Sequence, residues 1–195
     1  LRSQGKSIWL AQREGRAKDS NDLTQASVLH MLTLGDDDFF ENVKALNICP
    51  VSITYEFDPC DYLKAAEMQL KRDNPKWRKS KRDDVKSMQT GIRGEKGRVV
   101  YRLTPSINPE IEALLANEPE WRTAPIHDQL QRVCDIIDRH IHQGYEIFDR
   151  GTEFDAYIES RLAMIDIPNK DEAFLRDKLY EMYNNPVINY KKAYE

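Results

Sequence analysis

The first 107 residues combine short hydrophobic runs, typical of strands, with stretches in which apolar residues recur at helical spacing. The short runs predict three strands, at residues 7–12, 48–55 and 98–103. The helical spacing predicts helices at residues 24–34, 36–46, 62–72 and 82–90, the third of them capped by Asp61. Strands separated by helices favour parallel pairing. We therefore expect an α/β fold with a partial, mostly parallel sheet and flanking helices.

From residue 108 onward the pattern is helical throughout. Pro109 directly after Asn108 is typical of a first helical turn, and an apolar stripe runs through residues 130–141. Two capping-box patterns open further helices: Thr152 with Asp155, and Asn169 with Glu172. The predicted organisation is an α/β part, residues 1–107, followed by an all-helical C-terminal region, residues 108–195.

Composition narrows the classes of function. The chain has 195 residues, enough for one sizeable core, and a net charge of −4, which argues against a general nucleic-acid binder. Its three cysteines lack CxxC or metal-site spacing, so we interpret them as reduced thiols of a cytoplasmic protein. No apolar run reaches the roughly 18 residues of a membrane span. The first residues resemble a helix end stopped by Gly5, which indicates a chain that begins inside a domain of a longer protein.

A compact polar cluster follows the first predicted strand and consists of Arg13, Glu14, Gly15, Arg16 and Lys18. Ligands of parallel sheets bind beyond the carboxyl ends of the strands, where this cluster is expected. Arginine offers phosphate a planar fork, lysine offers a point charge, and glycine lets the backbone approach a ligand. The cluster would suit a small phosphorylated alcohol. A solvated turn is the alternative.

Pro50 stands within the second predicted strand. Proline cannot donate a hydrogen bond to a sheet, so it belongs at an edge, at a first residue or at a bulge. A bulge would widen a groove for a ligand, whereas an edge-strand proline would carry no function.

Cations concentrate in one segment, which contains Lys76, Trp77, Arg78 and Lys79. A tryptophan among cations favours contact with anionic lipid headgroups. A solvated loop between two helices explains the same composition.

No catalytic group stands out by motif. The sequence contains neither GxSxG nor HExxH, and its four histidines have no metal-site spacing with a third ligand. His140 and His142, two residues apart on one predicted helix, cannot face the same way. The pattern therefore predicts a binding loop without a visible catalytic residue, and no metal.

Two segments carry a resemblance to a known family. "IWLAQREGRAKD" and then "ICPVSITYE" resemble the third and fourth motifs of the glycerolphosphate and lysophosphatidate acyltransferases. Glu14-Gly15 matches the Glu-Gly-x-Arg-Ser motif, although Ala17 occupies the place of its arginine, and Pro50-Val51 with Ile53 matches the Val/Ile-Pro-Val/Ile motif. Tyr55-Glu56 is especially similar to the glycerol-3-phosphate acyltransferase branch. The turn "TGIRGEKGRVVYRLTPSI" also resembles that family.

The resemblance implies transfer of a fatty acyl group from acyl-CoA or acyl carrier protein to a glycerol-3-phosphate-like acceptor in phospholipid synthesis. Residues 13–18 would position the acceptor's phosphate, Pro50 would lie on the acyl-donor side, and no cofactor is implied. The family's His-x-x-x-x-Asp motif is absent, because none of the four histidines has an aspartate five residues on. The resemblance places that motif upstream of Leu1, so we expect this chain alone to be inactive.

Two other functions fit the same residues. One is a non-catalytic module that binds phosphate or lipid, and the other is a protein-interaction domain built on the helices after residue 108. An incomplete sheet would expose a strand edge, and we expect self-association of the chain, the helical region or an upstream part of the protein to cover it. Peripheral contact with the cytoplasmic face of a membrane is compatible with each.

Overall fold

The computed structural model describes residues 5–13, 17–35 and 38–195. Within these residues the elements are α1 (Ala26–Leu32), α2 (Phe39–Leu46), β1 (Val51–Tyr55), α3 (Asp61–Asp73), α4 (Lys81–Arg93), β2 (Val99–Leu103), α5 (Asn108–Asn117), a 3₁₀ helix (Pro119–Thr123), α6 (Ile126–Gln143), α7 (Phe154–Ala163) and α8 (Glu172–Lys192). The fold is mixed and mostly helical. The helices predicted from apolar spacing are confirmed, as are the strands at 48–55 and 98–103. None of the described helices is long and apolar enough to cross a membrane.

The prediction of a mostly parallel sheet is wrong. In the described part of the chain the sheet has two strands, β1 and β2, and they are antiparallel, with Val51 opposite Leu103 and Tyr55 opposite Val99. Two helices, not one, separate them. An even number of helices lets the chain re-enter the sheet from its opposite end, whereas a single crossover helix favours parallel strands.

The strand predicted at residues 7–12 is also wrong. This segment forms no regular structure, and Trp9 is 68% exposed. Ile8 and Leu10 are exposed as well. A short apolar run predicts a strand only if a partner strand pairs with it, and composition carries no information about the partner.

The sheet turns its polar side inward. Ser52 and Thr54 of β1 are buried, and the Ser52 hydroxyl donates to the carbonyl oxygen of Gly144 at 2.8 Å. A Cβ atom at Gly144 would lie 2.5 Å from the Ser52 oxygen, so only glycine permits this contact. The opposite face carries apolar residues, of which Tyr101 and Leu103 are 61% and 73% exposed.

The helices form two hydrophobic clusters. The first joins α1, α2, α5 and α6 through residues such as Phe40, Ile111 and Val133. The second joins α3, α7 and α8 and contains Ala65, Ile158, Leu175 and Leu179 among its buried side chains. Both clusters combine residues from before and after position 107, and the two-part organisation stays a prediction.

The last two helices begin differently from the capping boxes predicted for them. The N-cap of α8 is Asp171, whose carboxylate accepts a hydrogen bond from the amide of Phe174 at 3.1 Å. Asn169 instead has a left-handed backbone conformation in the preceding turn. α7 begins at Phe154 without a side-chain cap.

Candidate functional site

A cavity of about 330 Å³ opens between β1, the chain that follows α6, and α8. One wall is formed by Ala17, which lies between Arg16 and Lys18 of the predicted phosphate-binding cluster, and by Ser20 and Asp22, which follow that cluster. Another wall is formed by residues 53–55 of β1, which follow Pro50. Segments far apart in sequence therefore line one cleft.

The described members of the cluster at residues 13–18 are bound to neighbouring carboxylates. Arg13 Nη1 lies 3.7 Å from Oδ1 of Asp22, and the Lys18 ammonium pairs with Glu67 of α3. Burial lowers the pKa of Lys18. Glu14, Gly15 and Arg16 lie outside the described residues.

Pro50 lies immediately before β1 and is buried. Its carbonyl oxygen accepts hydrogen bonds from the backbone amide of Thr104 at 2.9 Å and from the Thr104 hydroxyl at 3.0 Å. Pairing of β1 with β2 is regular from Val51 to Tyr55, and Pro50 stands before the first paired residue. A bulge at Pro50 stays a prediction. Among the described residues of this segment, Ile53 and not Pro50 is the first to line the cavity.

Three carboxylates at the cavity are each neutralised by a cation. The pairs are Asp22 with Arg13, Asp58 with Lys64 at 2.7 Å, and Glu146 of the chain after α6 with Arg102 of β2. The acidic lining is therefore already compensated by the protein's own side chains.

Two cations at the cavity lack such a partner. Arg150 Nε donates to the carbonyl oxygen of Glu56 at 3.1 Å, and its guanidinium lies 4.7 Å from the ring centre of Tyr183. Lys96 Nζ donates to the carbonyl oxygens of Ile92 and Gly94 at the end of α4. Within the described ranges, no carboxylate forms an ion pair with either residue, and burial lowers the pKa of Arg150.

A buried polar network holds the cavity walls together. Asp61, the first residue of α3, is fully buried and accepts hydrogen bonds from Tyr157 and Tyr183 at 2.9 and 2.7 Å. Arg161 Nε donates to the same carboxylate at 2.6 Å. Burial raises the pKa of Asp61, which the charge of Arg161 opposes, and burial also raises the pKa of Tyr183. Asp61 is thus the centre of a structural network, whereas the sequence predicted only a helix cap.

The predicted basic patch lies in the turn between α3 and α4. Trp77 is half-buried, while Lys76 and Arg78 are exposed. Arg78 Nη1 donates to the carbonyl oxygens of Pro75 and Trp77. Lys79 is directed toward α4, where its ammonium donates to the Ser87 hydroxyl at 2.8 Å. Two exposed cations therefore remain at this turn.

The helix that follows the patch, α4, exposes an apolar face. Val85, Met88 and Ile92 share one side of α4, and Ile92 is 79% exposed. The side opposite to them carries Ser87, which is the one buried residue of the helix. The sequence predicts this helix but not the exposure of its apolar face, because helical spacing does not show which face packs against the rest of the protein.

No histidine lines the cavity in the described part of the chain. His140 Nε2 lies 2.9 Å from Oε2 of Glu110, and burial lowers the pKa of His140. His142 is buried, with Nε2 3.3 Å from the carbonyl oxygen of Asp22. Over the described residues, no group of three His, Cys, Asp or Glu side chains could hold a metal ion.

Comparisons with family models, curated proteins and solved structures found no match to this chain.

Proposed function

We propose that this chain carries the acceptor-binding part of a glycerolipid-type acyltransferase. The observation that carries the proposal is the shared cavity. Ala17, Ser20 and Asp22, which follow the Glu-Gly motif, line it together with Thr54 and its neighbours, which follow the Pro-Val motif. An acyl transfer needs the acceptor alcohol and the thioester donor side by side, and a common cleft meets that need.

In this function the protein contributes mainly positioning. Residues 13–18, with Arg16 as the predicted contact, bind the phosphate of a glycerol-3-phosphate-like acceptor, which converts a bimolecular encounter into a reaction within one complex. The acceptor hydroxyl attacks the thioester carbonyl of acyl-CoA or acyl carrier protein, and a general base takes the hydroxyl proton. The new C–O ester bond forms as the C–S bond breaks, and the CoA or carrier-protein thiolate leaves and takes up that proton. Because the sequence lacks the family's His-x-x-x-x-Asp motif, we expect no turnover by this chain alone.

A non-catalytic phosphate- or lipid-binding module is the second candidate. The cavity offers the cations Arg150 and Lys96 without a carboxylate partner in the described residues, together with apolar walls that include Met182 and Val187. Such a site binds an anion without requiring any chemistry.

We further propose peripheral contact with an anionic membrane at the cytoplasmic face. Lys76, Arg78 and the apolar face of α4 (Val85, Met88 and Ile92) support it, because exposed apolar side chains beside cations are typical of helices that lie in the headgroup region.

Acyl transfer is tested with the protein encoded by the complete reading frame of this chain. The assay supplies radiolabelled glycerol 3-phosphate with acyl-CoA or with acyl carrier protein, and it follows the acylated product. We expect product from the wild type and at least about tenfold less kcat/KM from Arg16→Ala, because a phosphate contact is lost. Arg176→Gln is the matched control, because Arg176 of α8 pairs with Glu159 and is not among the residues that line the cavity. No product with either donor would refute the acyltransferase.

A further inference from the structure

We infer that Arg150 and Lys96 form the phosphate subsite of the cavity and bind a phosphate monoester. This inference rests on the proposed function and deepens it, because it adds Arg150, outside the family-like segments, and Lys96, in the family-like turn, to the phosphate contact predicted for Arg16.

The first support is the charge balance of the cavity. Each acidic side chain at its wall that could compete for a cation is already paired, as described for Asp22, Asp58 and Glu146. Arg150 and Lys96 line the same cavity and have no carboxylate partner among the described residues. Two cations match the near-dianionic charge of a phosphate monoester at neutral pH.

The second support is the way Arg150 is held. Its Nε atom is fixed by the carbonyl oxygen of Glu56, and its guanidinium stacks on Tyr183 and lies 5.3 Å from the ring centre of Phe154. These contacts restrain the side chain and leave its terminal nitrogens without a hydrogen-bond acceptor among the described residues. A restrained guanidinium fork binds two phosphate oxygens with less entropy loss than a flexible one.

The third support is the restrained neighbourhood of this subsite. Tyr183, on which Arg150 stacks, donates to buried Asp61 and accepts from the Asp58 amide at 3.1 Å. Tyr183 is therefore fixed on the opposite side by the core of the protein. The Arg150 guanidinium therefore packs on a ring of fixed position, and the subsite is preorganised for its ligand.

The test is a calorimetric titration of this chain with glycerol 3-phosphate, with inorganic phosphate and with glycerol. We expect binding of the first two and none of the third. Arg150→Gln should weaken glycerol 3-phosphate about tenfold to a hundredfold, because a charge-assisted bidentate contact is lost. Arg150→Lys should recover only part of the affinity, since lysine lacks the fork. Arg176→Gln should bind as the wild type does.

If Arg150→Gln fails to fold, a measurement on the wild-type protein tests the subsite instead. The Nε–H resonance of Arg150, assigned in an arginine-labelled sample, should shift on addition of glycerol 3-phosphate, and an unmoved resonance at saturation overturns the subsite. Unchanged affinity in folded Arg150→Gln overturns it equally.

The two proposals fail in different ways. If Arg16→Ala abolishes binding while Arg150→Gln does not, the Arg150 subsite is wrong and the acyltransferase survives. If Arg150→Gln abolishes binding but the complete reading frame transfers no acyl group, the subsite stands and the acyltransferase is wrong.

Discussion

The hydroxyl of Tyr183 lies 2.7 Å from Oδ2 of Asp61 and joins the middle of α8 to the first residue of α3. Arg161 of α7 completes this contact from the other side of the carboxylate. Three helices are thereby fixed at one buried point, next to the cavity that Tyr183 lines. The shape of the cavity depends on a polar contact as much as on the apolar cluster beneath it.

Breaking this contact should be costly. Asp61→Asn leaves the mostly buried Arg161 guanidinium without its counter-charge, so we expect a loss of about 3 kcal/mol in the free energy of unfolding, measured in urea. Tyr183→Phe removes the hydrogen bond to Asp61 and the one from the Asp58 amide, and should cost about 2 kcal/mol. The surface control is Asp155→Asn, which weakens the exposed hydrogen bond from the Tyr180 hydroxyl to Asp155. It should cost less than about 0.5 kcal/mol. Equal stability of Asp61→Asn and wild type would contradict the network.

The cysteines should differ sharply in reactivity. Cys49 is exposed, whereas Cys60 and Cys134 are buried, and burial raises the pKa of the Cys134 thiol to about 12. Because the thiolate is the reactive form, the native protein at pH 8 should release one equivalent of chromophore from a disulfide reagent quickly and the other two only in denaturant. Cys49→Ser should remove the fast phase. Two or three fast thiols in the native protein would show that the buried positions are wrong.

Vesicle binding should depend on α4. Met88→Ser removes an exposed apolar side chain from the proposed membrane face and should weaken sedimentation with phosphatidylglycerol vesicles by about tenfold, as expected for loss of a buried apolar side chain. Arg78→Gln should weaken it about fivefold, and added salt should weaken it in all variants. The control is Met31→Ser, the same substitution at an exposed position of α1. Identical losses for Met88→Ser and Met31→Ser would exclude α4 as the membrane face.

The turn before β2 should tolerate only glycine at position 97. Gly97 has a φ of +60°, and a Cβ atom there would lie 2.6 Å from the Glu56 carboxylate. Gly97→Ala should therefore cost about 2 kcal/mol or more in urea unfolding, because backbone strain and a close contact add. Gly151 has a similar φ but open space around it, so Gly151→Ala should cost only about 1 kcal/mol. A smaller cost at Gly97 than at Gly151 would contradict the described turn.

Much of the helical structure could be predicted because it depends on local spacing. The stripe at 130–141 became α6, and Pro109 stands in the first turn of α5. Strand direction could not be predicted in the same way, since it depends on which segments meet. Residues 7–12 show the limit most clearly, because their apolar composition is that of a strand and no strand pairs with them in the described structure.

The candidate site, too, could be predicted from the sequence only in part. Glu14 and Pro50 were expected to line one groove. Glu14 lies outside the described residues and Pro50 is not part of the cavity lining, whereas the nearby residues Ala17 and Ile53 line one cavity. Arg150 could not be found from the sequence, because it belongs to no motif and gains its significance only from Tyr183 and from the carboxylates that are paired elsewhere. Arg16, the predicted phosphate contact, lies outside the described residues, and its role stays a prediction.

The most direct measurement of the central claim is a titration of the isotopically labelled chain with glycerol 3-phosphate, followed by backbone amide resonances, with glycerol as the control ligand. The acceptor-site account predicts saturable shifts at millimolar ligand for Ala17, Ser20 and Thr54, which belong to the two segments that share the cavity. Glycerol should leave these resonances in place. Shifts confined to other surfaces, or no shift at any concentration reached, would contradict it.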